Sequence, residues 1–326
     1  MRILVAGGAG FIGSNFVRTA LGNGYPGWDD VSITVLDKLT YAGNLANLAP
    51  VARSERYSFV HGDIADGELL DRVVPGHDLV VNFAAETHVD RSIHGAADFV
   101  LTNGVGVQAL LDACLRCEVP RVVQVSTDEV YGSISEGSFT EADPLLPSSP
   151  YSAAKAGGDL LARAYWTTHQ LPVVITRCSN NYGPYQYPEK VIPLFVTNLI
   201  DGETVPLYGD GLNVRDWLHV DDHCRAIHLA ARSGRPGEIY NIGGGVELTN
   251  RDLTERLLAA TGRQWDSAVS PVPDRKGHDR RYSIDDSKIR GELGYAPEVD
   301  FTAGLAETIQ WYRDHQAWWR PLKPAA

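Results

Sequence analysis

Three observations predict an α/β protein with a doubly wound parallel sheet and a smaller α/β domain toward the C-terminus. Short apolar runs alternate with helical patterns through the first half of the 326 residues, as parallel strands with helices on both faces require. A glycine-rich turn follows the first run, at the strand end where such sheets bind ligands. After Arg177 the alternation gives way to turn-rich, aromatic segments, so a second unit is assembled from several pieces. The length suits two domains, or one large domain with elaborations.

Strands are expected at residues 3–6, 33–36, 58–60, 79–83, 122–125 and 173–176, each an apolar run of buried-strand length. Helical runs lie between them, the most regular at 97–117 and 151–169. Asn180-Asn181-Tyr182-Gly183-Pro184-Tyr185 is turn-rich, and Pro- and Gly-containing stretches recur at 206–211 and 271–277. Residues 239–241 are expected to return to the main sheet as a strand. Residues 301–319 read as one helix whose Trp311, Tyr312, Trp318 and Trp319 belong to the core.

Composition is that of an ordinary globular chain, 44% hydrophobic and 21% charged. A net charge of −12 argues against nucleic acid as a partner, which would call for a basic face. No apolar stretch is long enough to predict a membrane span. The strand pattern starts at Arg2, so no signal segment is expected and a cytoplasmic location follows. Cys114 and Cys117 form a C-x-x-C near a helix C-terminus, where the dipole disfavours a thiolate. No second pair completes a zinc set, so they read as helix residues and no metal is expected.

The turn Gly7-Gly8-Ala9-Gly10-Phe11-Ile12-Gly13 lies between the first strand and a helix. Gly7, Gly10 and Gly13 let the backbone approach a pyrophosphate, whose charge rests on the helix N-terminus. Asp37 ends the second strand and can accept hydrogen bonds from an adenosine ribose. Its charge would repel a 2′-phosphate, so NAD is expected over NADP, although Lys38 and Arg18 are nearby cations. Asp63, with Ile64, is suited to an adenine edge or equally to a helix cap. Ala84 and Ala85 are small enough to let the dinucleotide close in. These features make the first unit a Rossmann-type NAD-binding domain at 1–180, with a returning segment near 212–245. Residues 181–211 and 246–326 form the second, substrate-binding domain.

Ser126-Thr127-Asp128-Glu129-Val130-Tyr131 follows the fifth strand, and Tyr151 precedes Lys155 by one helical turn. A Tyr and a Lys so spaced share a helix face, and the lysine is expected to lower the phenol's pKa. Such a phenol suits proton removal from a sugar hydroxyl. Adjacent carboxyls tend to split their pKa values, leaving one as an acid.

These motifs resemble the extended short-chain dehydrogenase/reductases, and within them the dTDP-glucose 4,6-dehydratase family. The segments at 37–44, 84–92, 126–132, 179–186 and 274–282 carry the resemblance, which runs from the first strand to the C-terminal Trp pair. It implies C4 oxidation of a nucleoside-diphosphate glucose, water elimination across C5 and C6, and hydride return to C6. Tyr151 would act as base at the C4 hydroxyl, Glu129 as base at C5 and Asp128 as acid at the C6 oxygen. Thr127 would bond near the C4 oxygen, and Lys155 would hold the nicotinamide ribose. The resemblance also adds Thr40, Thr87, Thr102 and Asn181 around NAD. For the nucleotide sugar it implies Thr87, Thr127, Asn180, Lys190, Tyr208, Arg215, Asn250, Arg275 and His278, and it implies a homodimer built on the helices at 97–117 and 151–169. Val100, Val107, Leu111, Ala164 and Tyr165 are the candidate contacts.

Other readings stay open at this stage. The same fold serves UDP-glucose 4,6-dehydratases, nucleotide-sugar 4-epimerases and UDP-glucuronate decarboxylases; the last two have no need of an acid pair for C6 elimination. A dinucleotide-binding protein without chemistry would have little reason to keep Thr127, Asp128, Glu129, Tyr151 and Lys155 together.

Overall fold

The computed structural model describes residues 1–323. The strands β1 (Arg2–Ala6), β2 (Ser32–Asp37), β3 (Tyr57–His61), β4 (Leu79–Asn82), β5 (Val122–Thr127) and β6 (Val173–Cys178) alternate with helices. Later come β7 (Asn180–Tyr182), β8 (Val205–Tyr208), β9 (Val214–His219), β10 (Ile239–Ile242), β11 (Glu247–Thr249) and β12 (Val269–Val272). The main sheet has the order β10-β6-β5-β4-β1-β2-β3, with every neighbouring pair parallel. Helices cover both faces, so residues such as Ile3, Leu4, Val5, Val80 and Val81 are buried whichever way they point. That two-sided burial is why the strands read as unbroken apolar runs.

From β1 the chain moves outward to β3 and then crosses back to β4, so the winding reverses between β1 and β4. The crevice at such a reversal is the ligand site of this class of sheet. Gly7 ends β1 there with φ +75°, and a Cβ on it would lie 2.5 Å from the backbone N of Ala84. A side chain at position 7 would force the loops after β1 and β4 apart.

Beyond β6 a smaller unit forms around a three-stranded sheet, β11-β9-β7, and a parallel pair, β12-β8. Helices Val191–Asp201, Asn250–Thr261 and Phe301–Asp314 enclose its core, which contains Phe195, Leu253, Leu257, Ile309, Tyr312 and Trp319.

Four expectations are modified. The returning segment at 212–245 divides: helix Val220–Ser233 and β10 lie on the main sheet, whereas β9 pairs with β7 and β11. The helix expected at 301–319 breaks at His315 into Phe301–Asp314 and Gln316–Trp319. The break turns Trp319 into the core, where its Nε1 donates to Tyr312 O at 2.7 Å; Trp311 and Trp318 remain only partly buried at its edge. The helical run at 97–117 is interrupted by a π-turn at Leu101–Gly106, which bends the chain beside the crevice. Val107 and Leu111, expected at a subunit contact, are instead buried against the sheet. The large apolar side chains left exposed on these helices are Val100, Leu101, Val105 and Leu160; Ala164 is also exposed and Tyr165 half-buried.

Candidate active site

Thr127 ends β5 and caps a tight turn, Asp128–Val130. Its Oγ1 accepts from Glu129 N and donates to Asp128 Oδ1, both at 3.3 Å. This turn aims both carboxyls into the crevice. Tyr151 and Lys155 enter from helix Pro150–His169, whose start is fixed by Pro150 and a reciprocal capping box between Ser149 and Ser152. Lys155 Nζ donates to Val125 O at 2.7 Å. All five polar side chains therefore meet at the C-terminal end of β5.

The two acids have different surroundings. Burial raises the pKa of Asp128, and the charges of Glu129 and Asp216 raise it further. Burial also raises Glu129, but Arg275, Arg215 and Lys190 pull it back. Asp128 is thus the acid that keeps its proton and Glu129 the one that can give it up. The phenol departs from the sequence expectation. Burial raises the pKa of Tyr151, Glu129 and Cys178 add to the rise, and only the Thr127 hydroxyl opposes it appreciably. Lys155, itself lowered by burial, turns its ammonium to the Val125 carbonyl rather than lowering the phenol.

The residues fit an NAD dinucleotide. Helix Phe11–Leu21 starts at Gly10 with no side-chain cap, which leaves its first-turn amides, including those of Phe11, Ile12 and Gly13, open to a pyrophosphate. Asp37 is buried, and its oxygens accept from Ala9 N at 2.9 Å and Leu39 N at 2.8 Å. Each oxygen retains a lone pair for a ribose hydroxyl. The cations nearest to where a 2′-phosphate would sit are engaged elsewhere: Lys38 pairs with Asp63 at 2.7 Å, and Arg18 donates to Asn47 O at 2.7 Å. Asp63 caps the Ala65 amide, whereas the following helix is capped by Asp66. Thr40, Ile64, Ala84, Ala85, Thr87 and Thr102 line the same cleft. The π-turn presents Thr102 there, anchored by Asn103, which exchanges two 3.0 Å bonds with the Glu86 backbone. Asn181 also lines the cleft, but its amide is committed to His223, Ser179 O and Cys178.

Of the substrate candidates, Thr87, Thr127, Asn180 and Lys190 line this cleft. Lys190 Nζ donates to Thr87 O at 2.7 Å, and Asn180 Oδ1 is buried without a partner. The others form a basic wall beyond Glu129. Arg215 lies over the Tyr282 ring at 4.1 Å and donates to Asp279 O at 3.0 Å. Arg275 and Arg215 both act on the His278 imidazole, so the three lie together. Tyr208 is edge-on to His278 at 6.2 Å and partly exposed. Asn250 is not among the residues lining the cleft; its backbone N–H donates to Asn213 O.

Sequence reasoning passed over several cleft residues. Glu189 is almost fully buried, and its Oε1 has no partner. Tyr282 donates to Asp279 at 2.7 Å and lies 3.5 Å from Glu129 Oε2. Their adjacency to Lys190 and to the Arg280-Arg281 pair was the available signal. Asp128 Oδ2 and Arg275 Nε are also buried without a hydrogen-bond partner, Arg275 Nε facing the Asp90 carboxylate at 3.8 Å. Such a concentration of unmet polar atoms marks a place where a polar ligand completes the bonding.

Comparison with known proteins adds the following. The sequence profile described as "GDP-mannose 4,6 dehydratase" matches residues 4–308. The protein is 62% identical over 323 residues to "dTDP-glucose 4,6-dehydratase" of Streptomyces niveus, covering 99% of this chain and 96% of that one. It is 60% identical over 320 residues to a protein of the same name from Actinoplanes sp., covering 98% and 100%. Its fold superposes with TM-score 0.98 on DesIV (dTDP-glucose 4,6-dehydratase) from Streptomyces venezuelae, solved with NAD and TYD bound, at 62% identity and 99% and 100% coverage. A UDP-glucose 4-epimerase from Thermotoga maritima is similar at TM-score 0.88 and 32% identity, covering 97% and 100%.

Proposed function

The chain belongs to the family described as GDP-mannose 4,6 dehydratase, and from that premise we propose that it dehydrates dTDP-glucose to the 4-keto-6-deoxy sugar with NAD. The observation that carries the reading is the acid pair. Two adjacent carboxyls, Asp128 buried and Glu129 half-buried, have electrostatic surroundings that push their protonation states apart. A C4 epimerase has no use for them; elimination across C5–C6 needs one base and one acid.

Bound NAD supplies the hydride acceptor at C4, a cationic ring and the returning hydride. The protein's residues move the protons and hold the sugar. Tyr151 takes the C4 hydroxyl proton, and Thr127 steadies the same oxygen. Once C4 is a ketone the C5 proton is acidic, and Glu129 removes it. Asp128 protonates the departing C6 oxygen, and water leaves. Glu129 then returns its proton to C5 as hydride arrives at C6. Arg215, Arg275 and His278 bind the diphosphate and nucleoside, with Arg offering bidentate contacts. Lys190 and Asn180 bridge that wall to the sugar.

We assign residues 1–179, together with helix Val220–Ser233, β10 and the segment from helix Ser287–Leu293 to Tyr295, to the NAD-binding unit, and the other described residues to the nucleotide-sugar unit. Among the described residues no helix is long and apolar enough to cross a membrane, and the chain acts in the cytoplasm, beside its NAD and nucleotide-sugar pools. It assembles as an isologous homodimer through the exposed apolar face of Val100, Leu101, Val105 and Leu160.

The test is to offer the purified protein dTDP-glucose and UDP-glucose separately. A 4-keto-6-deoxy product from dTDP-glucose supports the reading. A galactose nucleotide in its place would establish epimerisation, and turnover of UDP-glucose alone would move the substrate to the uridine series.

A further inference from the structure

The two tryptophans near the C-terminus do different work. Trp319 is fully buried in the second core. Trp318 turns the other way and crosses to the NAD-binding unit, where its Nε1 donates to Asn47 Oδ1 at 2.9 Å across 271 residues of sequence. Asn47 is itself buried, with 1% of its surface exposed. Its Nδ2 donates to Ala9 O at 2.9 Å. Ala9 lies inside the glycine turn, and its other backbone group is held by Asp37. The Asn44 amide adds a second bond to Ala9 O at 3.0 Å. A continuous relay therefore runs from the C-terminal segment to the loop that faces the pyrophosphate.

A second contact braces the same place. The Arg18 guanidinium, on the helix that follows the turn, donates to Asn47 O and lies over the Tyr185 ring at 4.2 Å. Tyr185 has φ +67°, a left-handed conformation that a tyrosine adopts only under constraint. That ring sits against Trp311 and Trp318, with centroids at 4.6 and 5.6 Å.

We propose that Trp318 is a positioning residue for the cofactor: through Asn47 it holds Ala9, and with it the glycine turn, in the shape that binds NAD, so that the C-terminal segment governs how long NAD stays bound. The consequence rests on the proposed reaction. Hydride must return to the sugar that gave it, and a cofactor lost midway would strand the ketone.

The experiment follows the rate at which NAD leaves the full-length protein after dilution into NAD-free buffer with no sugar present. Trp318→Phe keeps the ring against Tyr185 but loses the N–H. Asn47→Ser shortens the relay from its other end. Each variant should release NAD roughly 5- to 20-fold faster, the expected worth of a lost hydrogen bond that leaves a buried partner unmet. The double variant should be no faster than the worse single one, since both act on one relay. Trp311→Phe trims the same aromatic group without a bond to Asn47; it should lower the melting temperature comparably while releasing NAD at the wild-type rate. Release from Trp318→Phe at the wild-type rate would overturn the proposal and leave the dehydratase reading standing. Equal acceleration in Trp311→Phe would also overturn it, because cluster stability would then be the cause. A wild-type protein that binds no NAD even when NAD is supplied would overturn both.

Discussion

Asp128 and Glu129 are neighbours with the same functional group, and what separates them is which charges face each. Three cations oppose burial at Glu129, whereas at Asp128 only Arg215 and the Thr127 hydroxyl do. Glu129→Gln and Asp128→Asn should therefore still oxidise C4 and build up reduced-nicotinamide absorbance, while elimination slows by roughly 10²–10⁴-fold, the usual worth of a positioned acid or base. Tyr151→Phe should show no such absorbance, because the first proton cannot leave. Stopped-flow absorbance with dTDP-glucose separates these outcomes; equal loss of oxidation in all three folded variants would contradict the division of roles. The pH profile gives a second check. Glu129 must be ionised and its pKa lies above the ordinary value, so it governs the acid limb of kcat/KM. Arg275→Gln removes the cation that lowers it most, and the limb should move to higher pH by roughly 0.5–1 unit. Asp128 also bears on stability. Its folded pKa is raised, so the folded state keeps a proton that the unfolded chain releases, and stability falls as pH rises above about 4. Asp128→Asn lacks that penalty. Its melting temperature should exceed wild type by roughly 1–3 °C at neutral pH, a gain that vanishes in acid. Both carboxyls and the Tyr151/Lys155 pair were visible in the sequence. The raised phenol was not, because it follows from burial of Tyr151 and from the charge of Glu129 beside it, which only the folded chain brings together.

Five of the six early strands were legible because most of their residues are buried under helices on both faces and so written as apolar runs; β3, at the sheet edge and only half-buried, was legible from its place in the alternation. β7, β9 and β11 were not, since short strands such as Asn180–Tyr182 and Glu247–Thr249 are polar and take their conformation from pairing. The same limit applies to helices. Spacing alone did not tell which apolar side chains of the 97–117 run face the sheet, because the π-turn at Leu101–Gly106 shifts the helical phase partway along. Val107 and Leu111 fell inward as a result, and Val100, Leu101 and Val105 outward. If that outward face joins two copies, Leu160→Glu should yield a monomer by light scattering at micromolar concentration. Leu160 is 56% exposed, so the change should barely alter the melting temperature of the subunit itself. A dimer unchanged by this charge would place the interface elsewhere.

The groups proposed to do the chemistry come from β5, from the turn after it and from helix Pro150–His169, and the basic wall proposed to hold the nucleotide comes from the second unit, so the candidate site lies where the two units face each other. Glycine spacing and Asp37 announced the NAD half, because a dinucleotide imposes a local backbone shape that few sequences satisfy. The sugar-nucleotide half was harder to read. Arg215 lies about 60 residues from the segment that carries Arg275 and His278, and no local pattern says that they meet. Glu189 and Tyr282 escaped notice for the same reason. This division of labour fits a reaction in which the sugar is held fixed while its hydride leaves C4 and comes back to C6. The most direct test of that claim uses dTDP-glucose carrying deuterium at C4, mixed with unlabelled dTDP-glucose carrying a second, remote label. Recycling within one active site predicts that deuterium appears at C6 of the molecules that began with it and in no others, with no net accumulation of reduced nicotinamide. Deuterium retained at C4, or scrambled between the two populations, would contradict the account.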